Sequence, residues 1–266
     1  MLVPLRYSDP STVGVEGGVA RIDLRTGASA VARFTIPNAE SFGYRFGGSP
    51  DGRIVAVDTM WLEGELDMSV SPPQVPTVHA ALNIASVDGT PARRLDVLTS
   101  YRPGGEADDL AVQWSPDGSR VAWSLYRPNG ESETRIYDVE HGAEVQRVEG
   151  MLCGSASWAP DSNYLLVHVG FEPDVWLLDL VRDTRRQITV LPPLGDADLR
   201  PVRALGIADT GHVVTARDDG LQVAISVVNL TSGDSHELMG YSDLEARYPV
   251  ITAMPYGTWT TRVDKQ

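Results

Sequence analysis

Residues 114–125 read WSPDGSRVAWSL, a tight-turn motif followed by a strand-like run of apolar residues. The same arrangement occurs at 48–57, which read GSPDGRIVAV, and at 158–167, which read WAPDSNYLLV. Two weaker copies are IADTGHVVTA at 207–216 and AMPYGTWTTRV at 253–263. Proline fixes φ at the second position of a tight turn, and Asp-Gly tolerates the return bend. The motif therefore predicts five β-hairpins along the chain.

A second hairpin pattern follows all but the last of these motifs. Each copy has an apolar strand, a turn rich in Asp and Gly, and an outer strand with a polar edge. These copies lie at 81–99, 134–150, 174–190 and 224–240. The turn motifs recur at intervals of 66, 44, 49 and 46 residues. Four strands in a repeat of about 45 residues are typical of one blade of a β-propeller.

The order of the hairpins predicts how the two ends of the chain meet. Residues 17–37 read as an outer hairpin with no inner hairpin before it, and residues 248–263 as an inner hairpin with no outer one after it. We expect these segments to form one composite blade that closes the ring. The sequence thus predicts a single all-β domain over 1–266, a five-bladed propeller with four-stranded antiparallel blades. The other blades are expected at 44–99, 111–150, 154–190 and 203–240.

Residues 59–80 account for the one long interval between repeats. This stretch, TMWLEGELDMSVSPPQVPTVHA, shows little alternation of apolar and polar residues. We interpret it as an insertion of about 15 residues within the second blade, by comparison with the usual short loops. If it contained strands of its own, six blades would be possible.

The repeated W-S-P-D-G turn, with an apolar strand ending in Asp and a polar fourth strand, resembles the TolB-like, WD-repeat-related propellers. The resemblance covers nearly the whole chain. It implies the fold but no single function, because such blades occur in scaffolds, in sugar- or peptide-binding modules and in the gating domains of peptidases. The sequence has no G-x-S-x-G motif of the kind that carries a hydrolase nucleophile.

The composition narrows the classes of partner. The chain carries 36 acidic and 22 basic residues, a formal net charge of −14. Nucleic acid is not expected as a partner, because Lys265 is the single lysine and no basic run is present. No apolar stretch reaches the 18 or so residues that a membrane helix needs, and no membrane partner is expected. A cytoplasmic location is expected from the sequence as it stands, although a chain trimmed of a secretory leader would look the same.

One face of the predicted propeller is expected to carry function. It would hold the loops between blades and the loops between second and third strands, including 59–80. Carboxylates are frequent there, and Asp109, Asp198 and Asp243 each precede an inner strand. They could form a site for a cation (a metal, an amine or a basic peptide), or they could simply keep an acidic protein soluble. No cofactor and no specific metal ligand set is predicted, although a divalent cation at the channel mouth is possible.

Aromatic and arginine side chains are interleaved on the same loops. SYRPGG at 100–105 and LYRPNG at 125–130 are near-copies. The expected ligand-binding residues are Trp61, Glu63, Tyr101, Arg102, Asp109, Tyr126, Arg127, Phe171, Asp198, Tyr241 and Asp243. They could form a recognition surface, or the tyrosines could cover the loop bases with arginines stacked on them. Trp114 and Trp158 precede turns at equivalent positions, so we expect them between blades in the core.

The leading functional hypothesis is a binding or scaffold module without chemistry of its own, whose partner is a protein, a peptide or a small cationic ligand. The alternative is an enzyme acting on a small molecule or glycan at the channel mouth, with Asp109, Asp198 and His168 as candidate acid–base groups. The five histidines show no zinc-binding spacing. Cys153 is the only cysteine and is expected to be a buried, inert thiol.

Overall fold

The computed structural model confirms an all-β chain. It describes residues 2–6, 15–22, 25–36, 43–69, 71–72, 74–88, 90, 92–103, 112–153, 157–169, 175–188, 202–209, 211–218, 223–232 and 234–239. No helix occurs within these ranges, and every pairing between neighbouring strands described here is antiparallel. The strands form five sheets, three of them four-stranded meanders of consecutive strands. Four-stranded antiparallel sheets are thus confirmed, whereas the number of blades and the closure of the ring stay predictions.

The first sheet contains three strands in the order β1-β2-β3. They are β1 (Leu2–Arg6), β2 (Val15–Ile22) and β3 (Ser29–Ile36). The strand β1 was not predicted from the sequence. It occupies the place beside β2 that the sequence analysis gave to 248–263, a segment outside the described residues. The run LVPLR is short and interrupted by proline, so its β pattern is weak.

The second sheet contains the strands β4, β5, β6 and β7 in that order. They span Gly43–Gly48, Ile54–Glu63, Thr77–Ser86 and Arg93–Thr99. The strands β5 and β6 run on well into the predicted insertion and pair without interruption as far as Glu63 and Thr77. Residues 59–63 and 77–80 are therefore strand residues, although 59–80 shows little strand pattern in the sequence, and the interpretation of this segment as an insertion within the second blade stays a prediction. These residues lengthen two strands of the existing sheet and add no further sheet.

The remaining strands form a five-stranded and two four-stranded sheets. The five-stranded sheet contains β8 (Arg102–Pro103), β9 (Val112–Trp114), β10 (Arg120–Tyr126), β11 (Ser132–Asp138) and β12 (Ala143–Glu149). The next contains β13 (Met151–Leu152), β14 (Tyr164–His168), β15 (Val175–Asp179) and β16 (Thr184–Gln187). The last contains β17 (Val202–Asp209), β18 (His212–Asp218), β19 (Val223–Asn229) and β20 (Ser235–Met239).

The repeated turn motif has the geometry that its residues predict. Gly118 has a φ of 74°, in the left-handed region that favours glycine, and its amide donates to the Ser115 carbonyl over 2.9 Å. The Ser115 hydroxyl donates to Asp117 over 2.6 Å. Ser49 and Asp51 repeat this contact in the preceding sheet at the same distance. The turns therefore fix the junction of each inner hairpin.

The chain divides into two compact units, 1–152 and 153–266. In the first unit, the buried core lies between the second and third sheets and includes Leu82, Ile84, Val121 and Trp123. Trp114 is buried there, as expected, and its indole Nε1 donates to the Gly47 carbonyl over 2.7 Å. In the second unit, the core includes Cys153, Leu166, Leu177, Ile207 and Val213. Trp158 is buried as well, as expected.

Candidate binding surface

The first unit contains a long hairpin. Ten residues of β5 pair with ten of β6, and the connecting segment 64–76 is called the hairpin tip from here on. Within the tip, the backbone amides and carbonyls of Asp67 and Gln74 form two hydrogen bonds of 2.9 Å. The Asp67 carboxylate accepts from the amide and hydroxyl of Ser69 over 2.8 and 2.6 Å. The tip thus carries its own hydrogen-bonded framework.

The hairpin tip exposes large apolar side chains. Leu66, Met68 and Val75 are 59%, 70% and 69% exposed. The carboxylates of Glu63, Glu65 and Asp67 lie between or beside them in the sequence, and neither lysine nor arginine occurs from residue 54 to residue 92. Hydrogen bonds from Ser69 lower the pKa of Asp67 below its ordinary value, so this group is anionic at neutral pH. The tip is therefore an apolar surface with a negative rim.

The base of the hairpin is held by a stack of side chains. The rings of Trp61 and His79, which are cross-strand partners, lie 5.1 Å apart and are inclined by only 12°. The Arg94 guanidinium lies over the Trp61 ring at 5.7 Å. Glu63 Oε2 lies 2.8 Å from His79 Nε2, and Thr99 Oγ1 lies 3.4 Å from His79 Nδ1. Trp61 thereby lies between His79 and Arg94 beneath the tip.

The two near-copy motifs of the sequence meet in the structure. The short strand β8 pairs with the end of β10, so that Arg102 lies opposite Tyr126 and Pro103 opposite Leu125. The amide of Ser100 donates to the Val78 carbonyl over 2.6 Å, which ties this segment to the hairpin. Because β-pairing fixes backbone positions, the hairpin and the two motifs lie on one part of the first unit.

A charged network lies beneath these motifs. Glu133 is completely buried, and its carboxylate accepts from Arg127 Nε and Arg135 Nε, each over 2.6 Å. Arg135 Nη1 also reaches Glu144 and Asp96, at 3.1 and 3.5 Å. A buried carboxylate needs such compensation, because its desolvation is otherwise very unfavourable. The network joins β11 to its own sheet and to β7 of the preceding sheet.

The titration of the network follows from these contacts. Burial alone would raise the pKa of Glu133, but the hydrogen bonds from Arg127 and Arg135 hold it below its ordinary value. The hydrogen bond with Glu133 raises the pKa of Arg127. Burial raises the pKa of Tyr137, and its hydrogen bond of 2.6 Å to Asp96 raises it further. All of these groups therefore keep their ordinary charges at neutral pH.

Tyr101 covers the network from outside. The Arg135 guanidinium lies 5.0 Å from the centre of its ring, and Tyr101 also packs against the core of the first unit. Arg127 is held by Glu133 and, over 3.1 Å, by Glu131. This is the packing arrangement that the sequence analysis weighed against a recognition surface. For Tyr101 and Arg127 the geometry shows packing and pairing, and a role in binding remains a prediction.

The structure brings several of the expected binding residues together. A continuous series of contacts runs from Trp61 to His79, Thr99, the Tyr101 segment, Arg135, Glu133 and Arg127. Tyr126 ends β10 directly before Arg127, and Arg102 is placed by its backbone pairing alone. Asp109, Phe171, Asp198, Tyr241 and Asp243 lie outside the described residues. The predicted contribution of these residues, and the proposed acid–base pair Asp109 and Asp198, stays a prediction.

His168 closes the strand β14 in the second unit and is half-buried. Cys153 is fully buried, as expected, and burial raises the pKa of its thiol. Within the described ranges, no group of three or more His, Cys, Asp or Glu side chains could hold a metal ion. In the same ranges, no helix is long and apolar enough to cross a membrane.

Four residues that organise this surface were not predicted from the sequence, namely His79, Glu133, Arg135 and Tyr137. The run SETRIYD at 132–138 did contain a signal, because Glu133, Arg135 and Tyr137 alternate along one face of a strand. Polar residues at inward positions of a propeller strand need partners, and the partners lie far away in the sequence. His79 gave no such signal, because 59–80 was interpreted as an insertion with little strand pattern.

Comparisons with known structures define the class of fold. The β-propeller domain of the Trilobed protease from Pyrococcus furiosus matches with a TM-score of 0.50 at 11% identity, over 89% of this chain and 68% of that one. The Pyrococcus horikoshii acylaminoacyl peptidase matches with a TM-score of 0.53 at 12% identity, over 89% of this chain and 37% of that one. The chain therefore has a β-propeller fold.

TolB-like proteins are among the structural neighbours. TolB from Acinetobacter baumannii matches with a TM-score of 0.40 at 16% identity, over 90% of this chain. This chain spans 57% of the length of that TolB. No protein-family model matches the sequence, and no curated protein matches it either. At these identities the comparisons show a fold and leave function to the residues.

Proposed function

We propose that this protein is a non-catalytic binding or scaffold module, and that the hairpin tip is its main contact surface. The partner is a protein or peptide that offers apolar side chains surrounded by cationic ones. The observation that carries the proposal is the ordered exposure of Leu66, Met68 and Val75 on one hydrogen-bonded hairpin.

The apolar tip supplies the attraction. Burying a Val, Leu or Met side chain fully is worth about 1.5–3 kcal/mol, and each of these three is more than half exposed in the chain alone. Single exposed apolar residues are ordinary on protein surfaces, but a group of them on a projecting element is typical of interaction sites. A partner that covers the tip therefore buries these side chains, and their burial contributes favourable free energy to binding.

The negative rim selects the partner. Glu63, Glu65 and Asp67 are close in sequence to the apolar side chains, and the hairpin tip contains no lysine or arginine, while Glu63 lies 2.8 Å from His79 at the base. Charges at the rim of an interface contribute mostly to association rate and specificity, and they are screened by salt. We therefore expect binding to prefer basic partners and to weaken as ionic strength rises.

The base of the hairpin limits the entropy lost on binding. Trp61 is stacked on His79, and His79 is held by Glu63 and Thr99. The Asp67–Gln74 bridge and the Asp67–Ser69 hydrogen bonds then order the tip itself. A surface that is ordered before binding loses less conformational freedom when a partner arrives.

The proposal is tested by selecting displayed peptides on the intact protein and measuring their affinity by calorimetry. The test variant combines Leu66→Ser, Met68→Ser and Val75→Ser. The control combines Val31→Ser and Val145→Ser, which remove exposed apolar side chains from β3 and β12. We expect basic, apolar peptides whose affinity falls about tenfold or more in the test variant and stays unchanged in the control. Peptides that bind both variants as tightly as the wild type would refute the proposal.

A further inference from the structure

The second unit carries an arginine-rich edge. The turn after β15 and the strand β16 hold three arginines, Arg182, Arg185 and Arg186, in five consecutive residues. All four residues of β16 are exposed, Arg182 is 73% exposed, and the neighbouring Val181 is 70% exposed. β16 is the last strand of its sheet. We call residues 181–186 the arginine edge.

The arginine edge is structurally fixed. Arg182 Nη1 donates to Asp179 over 2.8 Å, and the Arg185 guanidinium lies over the Trp176 ring at 5.2 Å. The Asp179 carboxylate also accepts from the amides of Val181 and Arg182, over 3.0 and 2.9 Å. Arg186 lies opposite Leu177 in the register of the sheet. The turn therefore presents Val181 and the arginines in one arrangement.

The hairpin tip and the arginine edge have complementary chemistry. The tip offers apolar side chains with carboxylates around them, and it contains no cation. The edge offers an exposed valine, followed within five residues by three arginines and one aspartate, Asp183, in a chain whose net charge is −14. Guanidinium groups pair with carboxylates in bidentate geometry, and opposite charges steer two surfaces into register. Both surfaces are exposed in the single chain.

We propose that the hairpin tip of one copy of this protein docks on the arginine edge of a second copy. This inference rests on the proposed function, because it names the partner of the same tip. The contact joins two different surfaces, so it is heterologous, and each copy keeps one tip and one edge for further association. The protein therefore assembles head to tail, and the assembly weakens as salt screens the carboxylate–guanidinium attraction.

The test is sedimentation velocity on the full chain at low and high salt, with two surface variants. The tip variant combines Glu65→Arg with Leu66→Ser, and the edge variant combines Arg186→Glu with Val181→Ser. The control, Arg147→Glu with Val145→Ser, changes the same residue types on another edge strand, β12. We expect the wild type and the control to associate at low salt and to dissociate at high salt. Each surface variant alone is expected to associate about tenfold more weakly or worse.

Mixing the two surface variants makes the test specific. The tip variant keeps an intact edge, and the edge variant keeps an intact tip. The mixture therefore contains one functional pair of surfaces, and we expect a one-to-one dimer that grows no further. A double mutant with Glu65→Arg and Arg186→Glu exchanges the charges and is expected to recover association with itself.

Three results would overturn the inference: a wild type that stays monomeric at low salt, variants that associate as well as the wild type, or a mixture that stays monomeric. Arginines on β16 would then serve only to protect an exposed sheet edge. Calorimetry with the selected basic peptides separates this failure from failure of the proposed function. If the peptides still require Leu66, Met68 and Val75, the tip is a binding surface and only the self-docking is wrong.

Discussion

Trp114 donates its indole N–H to the backbone carbonyl of Gly47, and this bond of 2.7 Å joins the β9 strand of the third sheet to the β4 strand of the second. The backbones of β4 and β9 approach so closely that a Cβ on Gly47 would lie 2.7 Å from the Val112 carbonyl oxygen. The tryptophan of the repeated turn motif therefore has a second role beyond filling the core. It satisfies a backbone acceptor of the neighbouring sheet.

Replacing Trp114 with phenylalanine tests this role. Trp114→Phe keeps an aromatic ring but leaves the Gly47 carbonyl without its donor, which costs about 1–3 kcal/mol when the group is buried. We expect a clear fall in the free energy of unfolding measured with urea. Trp176→Phe changes a half-buried tryptophan of another sheet and should cause a much smaller loss. Equal losses in the two variants would show that the Gly47 bond contributes little.

The buried carboxylate of Glu133 provides a second prediction. Glu133→Gln removes the charge that compensates Arg127 and Arg135, and breaking a buried ion pair typically costs about 3–5 kcal/mol. Glu131→Gln, at an exposed partner of the same Arg127, is the matched control and should change stability little. Urea unfolding of the two variants at neutral pH measures the difference. If they are equally stable, the network does not hold the sheets together.

The same residue predicts the direction of acid sensitivity. The folded-state pKa of Glu133 lies below its ordinary value of 4.5. The ionised Glu133 therefore contributes fully to the free energy of unfolding above pH 4.5. This stabilisation by Glu133 is lost as the pH falls through the lower, folded-state pKa. The wild type should lose stability more steeply than Glu133→Gln in this acid range. Parallel stability curves for the two proteins below pH 4.5 would contradict this linkage.

Most turns and strands could be predicted from the sequence, because they depend on interactions between neighbouring residues. Each S-P-D-G turn needs only neighbouring residues, such as Ser115, Asp117 and Gly118, and the structure contains the predicted turn, closed by hydrogen bonds among these residues. Within the described residues, the apolar strands that follow these turn motifs are β5, β10, β14 and β18, and the strand expected after 253–257 lies outside them. Local patterns were insufficient for β5 and β6, whose outer halves pair Trp61 with His79 across a long connection. Alternation there is obscured by consecutive large side chains.

The candidate surface was predicted less completely, because its partners are distant in the chain. Tyr101, Arg127 and Trp61 were each chosen by residue type and loop position. The contacts that join them depend on Arg135, Glu133 and His79, and a sequence pattern cannot show that Asp96 meets Tyr137 across two sheets. The pairing of the two Y-R-P motifs also required the structure, since similarity between two segments does not imply contact.

The stack at the hairpin base predicts local effects on the tip. His79→Ala removes the ring that Trp61 stacks on and the nitrogen atoms that lie beside Glu63 and Thr99. We expect faster hydrogen exchange at 64–76, with little change in exchange of the core strands, because neither Trp61 nor His79 belongs to the buried core. His141→Ala, at an exposed turn, is the control. Uniformly faster exchange across the chain would mean that His79 supports the whole sheet.

The single cysteine predicts a simple chemical result. Cys153 is completely buried, and burial raises the pKa of its thiol well above the ordinary value. The thiolate is the reactive form, so native protein should react with a thiol reagent only as fast as it unfolds. Labelling followed by mass spectrometry, with and without denaturant, measures this. Rapid labelling of native protein would show that the core around Cys153 opens readily.

The most direct test of the binding hypothesis places a photoreactive benzophenone amino acid at position 66, in the hairpin tip. Position 31, another exposed apolar site on β3, receives the same group as the control. After irradiation in cells of the native host, we expect covalent adducts from position 66, with a partner protein or with a second copy of this chain, and none from position 31. Adducts from position 31 with none from position 66 would contradict the assignment of the hairpin tip as the binding surface.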